Sequence, residues 1–222
     1  MNVLSGRAAY ELWAETYPAV AHNPLMRIEQ DIVALLLSQI RATRALDVGS
    51  GSGRYLPLLE ATGASRVCAL DFSMAMLTRG TGRARVCADA RRLPFRRAAF
   101  DVINASLMVG DVADLCGWAR EMARVLATGG HLVYSDFHPS WAQHGWSRTF
   151  RAADGVLHDV SFHAHSIDDH LAALEGAGLH VRAIREPRFN ANRAFVDACI
   201  KAFRRRWGNP PVVVVFHAVK KP

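Results

Sequence analysis

Three glycines at alternate positions, Gly49, Gly51 and Gly53, stand directly behind an apolar run in "LDVGSGSGRY". Two aspartates, Asp71 in "CALDFSM" and Asp89 in "CADARRLPF", close the next two apolar runs. Glycine accepts dihedrals that other residues reach only at a cost, and it carries no Cβ to hold a ligand off the backbone. The triplet therefore suits a sharp strand-to-helix turn with a ligand lying against it. A dinucleotide fingerprint fails in either register, because the sixth position is Arg54 counted from Gly49 and Leu56 counted from Gly51. A triphosphate loop needs Gly-Lys-Ser/Thr, and the first lysine of the chain is Lys201. Asp71 is placed to accept both hydroxyls of a ribose, and Asp89 to accept an adenine amino proton. The three run ends thus offer glycines, a ribose acceptor and an amine acceptor in the order in which a nucleoside without phosphate would cross them.

The elements that must position these residues follow from periodicity. From Arg44 onward, short β-rich runs alternate with helical patterns: "RALDVG", "RVCALD" at 66–71, "ARVCAD" at 84–89, "FDVINAS" at 100–106 and "GHLVYSDF" at 130–137. These runs are apolar almost throughout, as expected of parallel strands covered on both faces. The pattern predicts a doubly wound α/β sheet. "VADLCGWAREMARVLATGG" reads as one crossover helix closed by Gly129-Gly130. Upstream, Asn23-Pro24 makes a helix entry, and Leu25, Ile28, Ile32, Leu36 and Ile40 recur at helical spacing over 24–40. A shorter helical stretch surrounds Tyr10 to Tyr17, so residues 1–43 form a helical cover. After the fifth strand the rhythm breaks, and residues 138–165 read as a lid-like insertion without a clear period. Helix 166–177, strand 179–188, a helical segment near 192–207 and a final strand in "PPVVVVFHAV" complete the chain.

With 222 residues, half of them hydrophobic and 21 % charged, the chain has material for one well-buried core, and 1–222 is expected to form a single domain. A net charge of +7, with arginines clustered at Arg91, Arg92, Arg96 and Arg97 and again at Arg204 to Arg206, invites a nucleic-acid reading. The clusters lack interleaved aromatics or a binding module, so a solvated basic face is the expectation. No run approaches the ~20 apolar residues of a membrane span, and the N-terminus lacks a secretory pattern, which together predict a cytoplasmic protein. Cys68, Cys87, Cys116 and Cys199 show no zinc or redox spacing and read as reduced packing residues.

"LDVGSGSG", "ALDFSMAML", "ADARRLPF", "FDVINAS" and "EMARVLATGGHLVYSDF", running from about Ala45 to Phe137, resemble in order and spacing the successive motifs of class I S-adenosylmethionine-dependent methyltransferases. The likeness is to the small-molecule type grouped with the ubiquinone and menaquinone C-methyltransferases. It implies a Rossmann-like seven-stranded sheet with the last strand antiparallel, S-adenosylmethionine as cofactor and S-adenosylhomocysteine as product. It carries Asp47, Gly49, Gly51, Gly53, Asp71, Phe72, Met76, Asp89 and Ala90 to the cofactor site, to which Tyr17 and Asn104 are added. Asp47 is expected to organise the glycine loop by hydrogen bonds, and Phe72 to pack on the adenine face.

Methyl transfer from a sulfonium is an in-line displacement, so the protein must align the acceptor, exclude water and, where needed, remove a proton. Tyr10 or Tyr17 can face the cationic sulfur. His22 and His138 are the candidate bases. Trp141, Trp146 and Arg148, with Phe150, would line a pocket for a flat aromatic or heterocyclic acceptor, Arg148 pairing an anionic group. They would equally serve as the insertion's own small core. His158, His163 and His165 lack metal-ligand spacing, and no metal is expected. A small-molecule substrate is the leading expectation. Methylation of transfer RNA or of a protein side chain, non-catalytic cofactor binding, and a nicotinamide oxidoreductase are the alternatives.

Overall fold

The structure is a computed structural model that describes residues 3–82, 84–143, 145–189 and 198–221. In chain order the elements are β1 (Val3–Leu4), α1 (Gly6–Trp13), α2 (Pro24–Leu37), β2 (Arg44–Val48), α3 (Leu56–Glu60), β3 (Arg66–Asp71), α4 (Met74–Arg79), β4 (Ala84–Cys87) and β5 (Phe100–Ser106). A 3-10 turn at Val109–Asp111 leads to α5 (Leu115–Val125), β6 (Leu126–Phe137), α6 (Ser140–Gln143), β7 (Arg148–Arg151), β8 (Leu157–Val160), α7 (Ile167–Gly176), β9 (Leu179–Arg185), α8 (Ala198–Trp207) and β10 (Val213–Lys220).

Seven strands form one sheet in the order β4-β3-β2-β5-β6-β10-β9, with β10 antiparallel to both neighbours. Successive residues of the central strands enter opposite layers, which is why their sequences are apolar without alternation. Leu46, Ile103, Tyr134 and Phe216 pack in one layer with Trp118 and Met122 of α5. Ala45, Val102, Val133 and Val215 pack in the other with Val33, Leu36 and Leu37 of α2. Strand order reverses between β2 and β5, and the crevice beyond their carboxyl ends is where such sheets bind ligands.

Helix entries follow the side chains available. Asn23 Oδ1 accepts the Met26 N–H at 2.9 Å, with Pro24 at the first helical position, where a missing donor costs nothing. Ser166 and Asp169 close a reciprocal capping box on α7.

Four expectations need correction. The crossover helix ends at Val125 rather than at Gly129-Gly130: the chain turns into β6 at once, and the glycines occupy an irregularity where pairing with β5 jumps from Phe100–Leu126 to Val102–His131. The run at 84–89 forms the edge strand β4, and three of its four residues are exposed, with Val86 alone of the four packed against the core. Cys87 and Cys116 are exposed and so are not interior packing residues, whereas the half-buried Cys68 does pack against the main core; the Cys199 side chain and residues 190–197 lie outside the described residues. The insertion is not strandless. β7 and β8 pair antiparallel, and β8 takes Val3 and Leu4 as a parallel neighbour, giving a second, three-stranded sheet. Its small core joins Phe150 to Ala9 and Trp13 of α1, with the Trp13 and Phe150 rings stacked at 4.9 Å.

Candidate active site

Beyond β2 the backbone takes positive φ at Gly49 (67°), Gly51 (53°) and Gly53 (86°). The reasons differ. A Cβ on Gly49 would stand 2.8 Å from Met108, whereas one on Gly51 would meet no atom within 4 Å. Gly49 is thus demanded by packing, and Gly51 turns a bare face toward a cavity. Asp71 locks the loop to the tip of β3: Oδ2 accepts the Gly51 N–H at 2.8 Å and Oδ1 the Ser73 N–H at 2.9 Å. Burial pushes its carboxyl upward against the pull of these amides.

The cavity over the loop has a volume of about 430 Å³. Of the residues expected at the cofactor, Tyr17, Gly49, Gly51, Asp71, Phe72, Met76, Asp89 and Ala90 line it. Gly53, Asp47 and Asn104 do not line it. Gly53 turns toward Leu56, 2.8 Å from where its Cβ would stand. Asp47 and Asn104 lie beneath the loop, where Asn104 Nδ2 donates to Asp47 Oδ1 at 2.7 Å and Ser106 Oγ donates to Asn104 Oδ1 at 3.0 Å. Only Ser106 of that chain reaches the cavity wall. Burial pushes Asp47 up to about 7. The Asp89 carboxylate is already gripped by Arg91, whose Nη2 donates at 2.6 Å, and this hydrogen bond holds it below the usual carboxylate range.

Sequence reasoning overlooked Glu29. It is fully buried in α2, accepts hydrogen bonds from the Tyr55 hydroxyl and from Ser135 Oγ (2.6 Å), and faces Arg54 at 3.6 Å. Burial raises its carboxyl, partly offset by Arg54. The signal was a lone acid at an inward position of an otherwise apolar helix stripe. Arg54 in turn lines the cavity, and its buried Nη1 has no hydrogen-bond partner among the described residues.

A second cavity, of about 580 Å³, adjoins the first, and Tyr10, Tyr17 and Leu107 line both. Trp141 and Trp146 lie in its wall, joined by Trp13, Phe203 and Trp207. Arg148 lines it too but is not available to an anion. Its guanidinium is buried, paired with Asp111, and further placed 3.4 Å from the Tyr10 hydroxyl and 3.3 Å from the Ser161 carbonyl. Asp111 is therefore the partner that the sequence did not reveal, and the expected anion-pairing role of Arg148 is corrected to a structural one. Phe150 belongs to the small core with Trp13 instead.

The two candidate bases part company. His22 lines the second cavity from an exposed position, its Nε2 3.4 Å from the Asn23 side-chain amide, and desolvation and the Arg54 charge lower its pKa. His138 lines neither cavity: Nδ1 is 2.8 Å from Ser140 Oγ and Nε2 is 2.9 Å from Glu186. With both ring nitrogens occupied away from either chamber, His138 is withdrawn as a catalytic base. Among the described residues, no group of three or more His, Cys, Asp or Glu is arranged to hold a metal ion. No helix of these residues is long and apolar enough to cross a membrane.

Residues 46–134 match the family described as "Methyltransferase domain". Demethylmenaquinone methyltransferase of Mycolicibacterium gilvum is 40 % identical over 98 residues, 43 % of this chain and 42 % of that protein. The biotin biosynthesis bifunctional protein BioHC of Cellvibrio japonicus is 33 % identical over 151 residues, 65 % of this chain and 29 % of that protein. The matches thus span less than half the length of these curated relatives. Among solved structures, an S-adenosylmethionine dependent methyltransferase from Mesorhizobium loti aligns over 86 % of this chain and 97 % of its own with a TM-score of 0.66, at 23 % identity. The fold is that of the class I S-adenosylmethionine-dependent methyltransferases.

Proposed function

We propose that this chain transfers a methyl group from S-adenosylmethionine, bound in the chamber over the glycine loop, to a flat, largely apolar small molecule bound in the aromatic chamber. The observation that carries the reading is the common wall: two cavities of ligand size, one built on a nucleoside-type loop and one on aromatic rings, meet at Tyr10, Tyr17 and Leu107.

The residues of the first chamber fit the cofactor. Gly51 leaves room against the backbone. The Asp71 oxygens accept the Gly51 and Ser73 N–H groups, with the Phe72 N–H also drawn to the carboxylate, and keep lone pairs for ribose hydroxyls. Phe72 and Met76 supply apolar surface for the base. Arg54, with its unpartnered Nη1, supplies a cation for the carboxylate of the amino-acid tail. When bound, the cofactor supplies an activated methyl group on a sulfonium centre. The chain's own tasks are then alignment and water exclusion, which the half-buried tyrosines Tyr10 and Tyr17 of the shared wall serve. Where the acceptor must lose a proton, His22 is the base: it lies in the wall of the acceptor chamber, and the lowering of its pKa favours the proton-accepting form.

Calorimetry with S-adenosylhomocysteine and with NAD tests the cofactor assignment. Heat uptake from the first and none from the second is expected, and the reverse would overturn the reading. Labelled methyl transfer to a panel of hydroxylated and amino-substituted aromatics then tests the acceptor, with His22→Ala expected to lose the limb of the pH–rate profile that reports an essential base. Steep loss of activity toward transfer RNA with added salt would instead mark a polyanionic acceptor.

A further inference from the structure

We propose that the aromatic chamber selects an acceptor carrying an acid group on its flat body, and that Arg206 at the chamber's wall pairs that acid. This deepens the transfer reading above and rests on it. Four rings, Trp141, Trp146, Phe203 and Trp207, form a continuous cluster, with centroids of Trp141 and its three neighbours 5.0 to 5.9 Å apart. Such a wall suits a planar apolar body.

The charges of the chamber lean one way. No Asp or Glu is among its described lining residues. Its basic groups are Arg148, His22 and Arg206, and two of the three are accounted for. Arg148 is neutralised in place by Asp111, and His22 has its pKa lowered by desolvation and by the Arg54 charge, with its Nε2 3.4 Å from the Asn23 side-chain amide. Arg206 differs: it is exposed, it lies over the Trp207 ring at 4.8 Å, and no salt bridge among the described residues engages it. A guanidinium held over an indole face keeps its forked N–H donors for a carboxylate or phosphate. Arg204 and Arg205 precede it in the same helix turn and add to the positive field. Expectation from sequence placed anion pairing on Arg148; the geometry transfers that role to a residue 58 positions further along the chain.

The test is calorimetric titration of the full chain with 2-naphthoate, 2-naphthamide and 2-naphthylmethylammonium, with S-adenosylhomocysteine titrated in parallel. The acid is expected to bind about three- to tenfold more tightly than the amide, and the ammonium most weakly, as an exposed but forked ion pair allows. Arg206→Gln should erase the preference and Arg206→Lys retain part of it, with S-adenosylhomocysteine binding unchanged in both. The proposal is overturned by equal binding of acid and amide, by a preference that survives in Arg206→Gln, by displacement of naphthoate on addition of S-adenosylhomocysteine, or by no binding of any naphthalene. Failure of S-adenosylhomocysteine alone to bind would sink the methyl-donor reading while leaving the acid preference to be read from the naphthalene isotherms.

Discussion

The two chambers are built by different means. The first is a backbone site: its floor is a glycine turn, its lock is a carboxylate accepting two main-chain N–H groups, and its parts come from the tips of neighbouring strands. The second is a side-chain site, assembled from α1, the entry of α2, the segment 137–149 and α8. A backbone site tolerates change wherever only a main-chain atom is used and fails where a Cβ is forbidden. A side-chain site depends on rings and charges that arrive from distant segments, so its integrity rests on the pairs that hold those segments together.

The largest expected effect sharpens that contrast. Arg148 and Asp111 form a buried pair that fixes β7 to the 3-10 turn, and Arg148→Met leaves the acid uncompensated, at a cost of about 3–5 kcal/mol. Denaturant unfolding should show that loss, and Arg148→Met combined with Asp111→Leu should regain part of it. If the single variant is as stable as wild type, the second chamber does not rest on this pair. Next, Asp71→Ala deprives the Gly51 and Ser73 amides of their acceptor and removes the proposed ribose partner, so S-adenosylhomocysteine affinity should fall about 100-fold. An unchanged isotherm would break the comparison from the other side, by showing that the loop needs no lock.

A pH effect follows from Asp47, whose carboxyl is pushed by burial from the ordinary 3.8 up to about 7 in the folded chain. Between those values the folded chain binds more protons than the unfolded one, so this group's contribution to stability is present below 3.8 and is lost as pH rises through about 7. Asp47→Asn abolishes that loss. The variant should gain on wild type with rising pH across this window, by up to about 1.4 kcal/mol per unit. Parallel stability curves would show burial to be unimportant there. The smallest effect is the cleanest separation: Trp146→Leu, in the second chamber only, should leave S-adenosylhomocysteine affinity within about twofold while weakening 2-naphthoate.

The same contrast explains what could be read in advance. A backbone that must bend sharply leaves glycines in the sequence, and strand tips recur at regular intervals, so the first chamber's outline was legible from residues 46 to 90. Asp47 and Asn104 show the limit: sequence carried both to the cofactor site and expected Asp47 to hold the glycine loop by hydrogen bonds, whereas Asp47 bonds to Asn104 and, among the described residues, not to the loop. The second chamber left no such record. Arg148 and Asp111 are 37 positions apart, and no local pattern marks them as partners. In β7 the burial alternates, with Arg148 and Phe150 inward, but an inward arginine hides the apolar period that signals a strand. His138 looked reactive at a strand end until Glu186, 48 positions later, was seen to occupy it.

Tyr10, Tyr17 and Leu107 belong to both cavities at once. Any shift in these three side chains on filling one cavity alters the welcome offered to the other occupant. Thermodynamic reciprocity then fixes the outcome: whatever factor the spent donor imposes on acceptor affinity, the acceptor imposes equally in return. Two isotherms measured in opposite orders of addition must therefore yield one coupling constant.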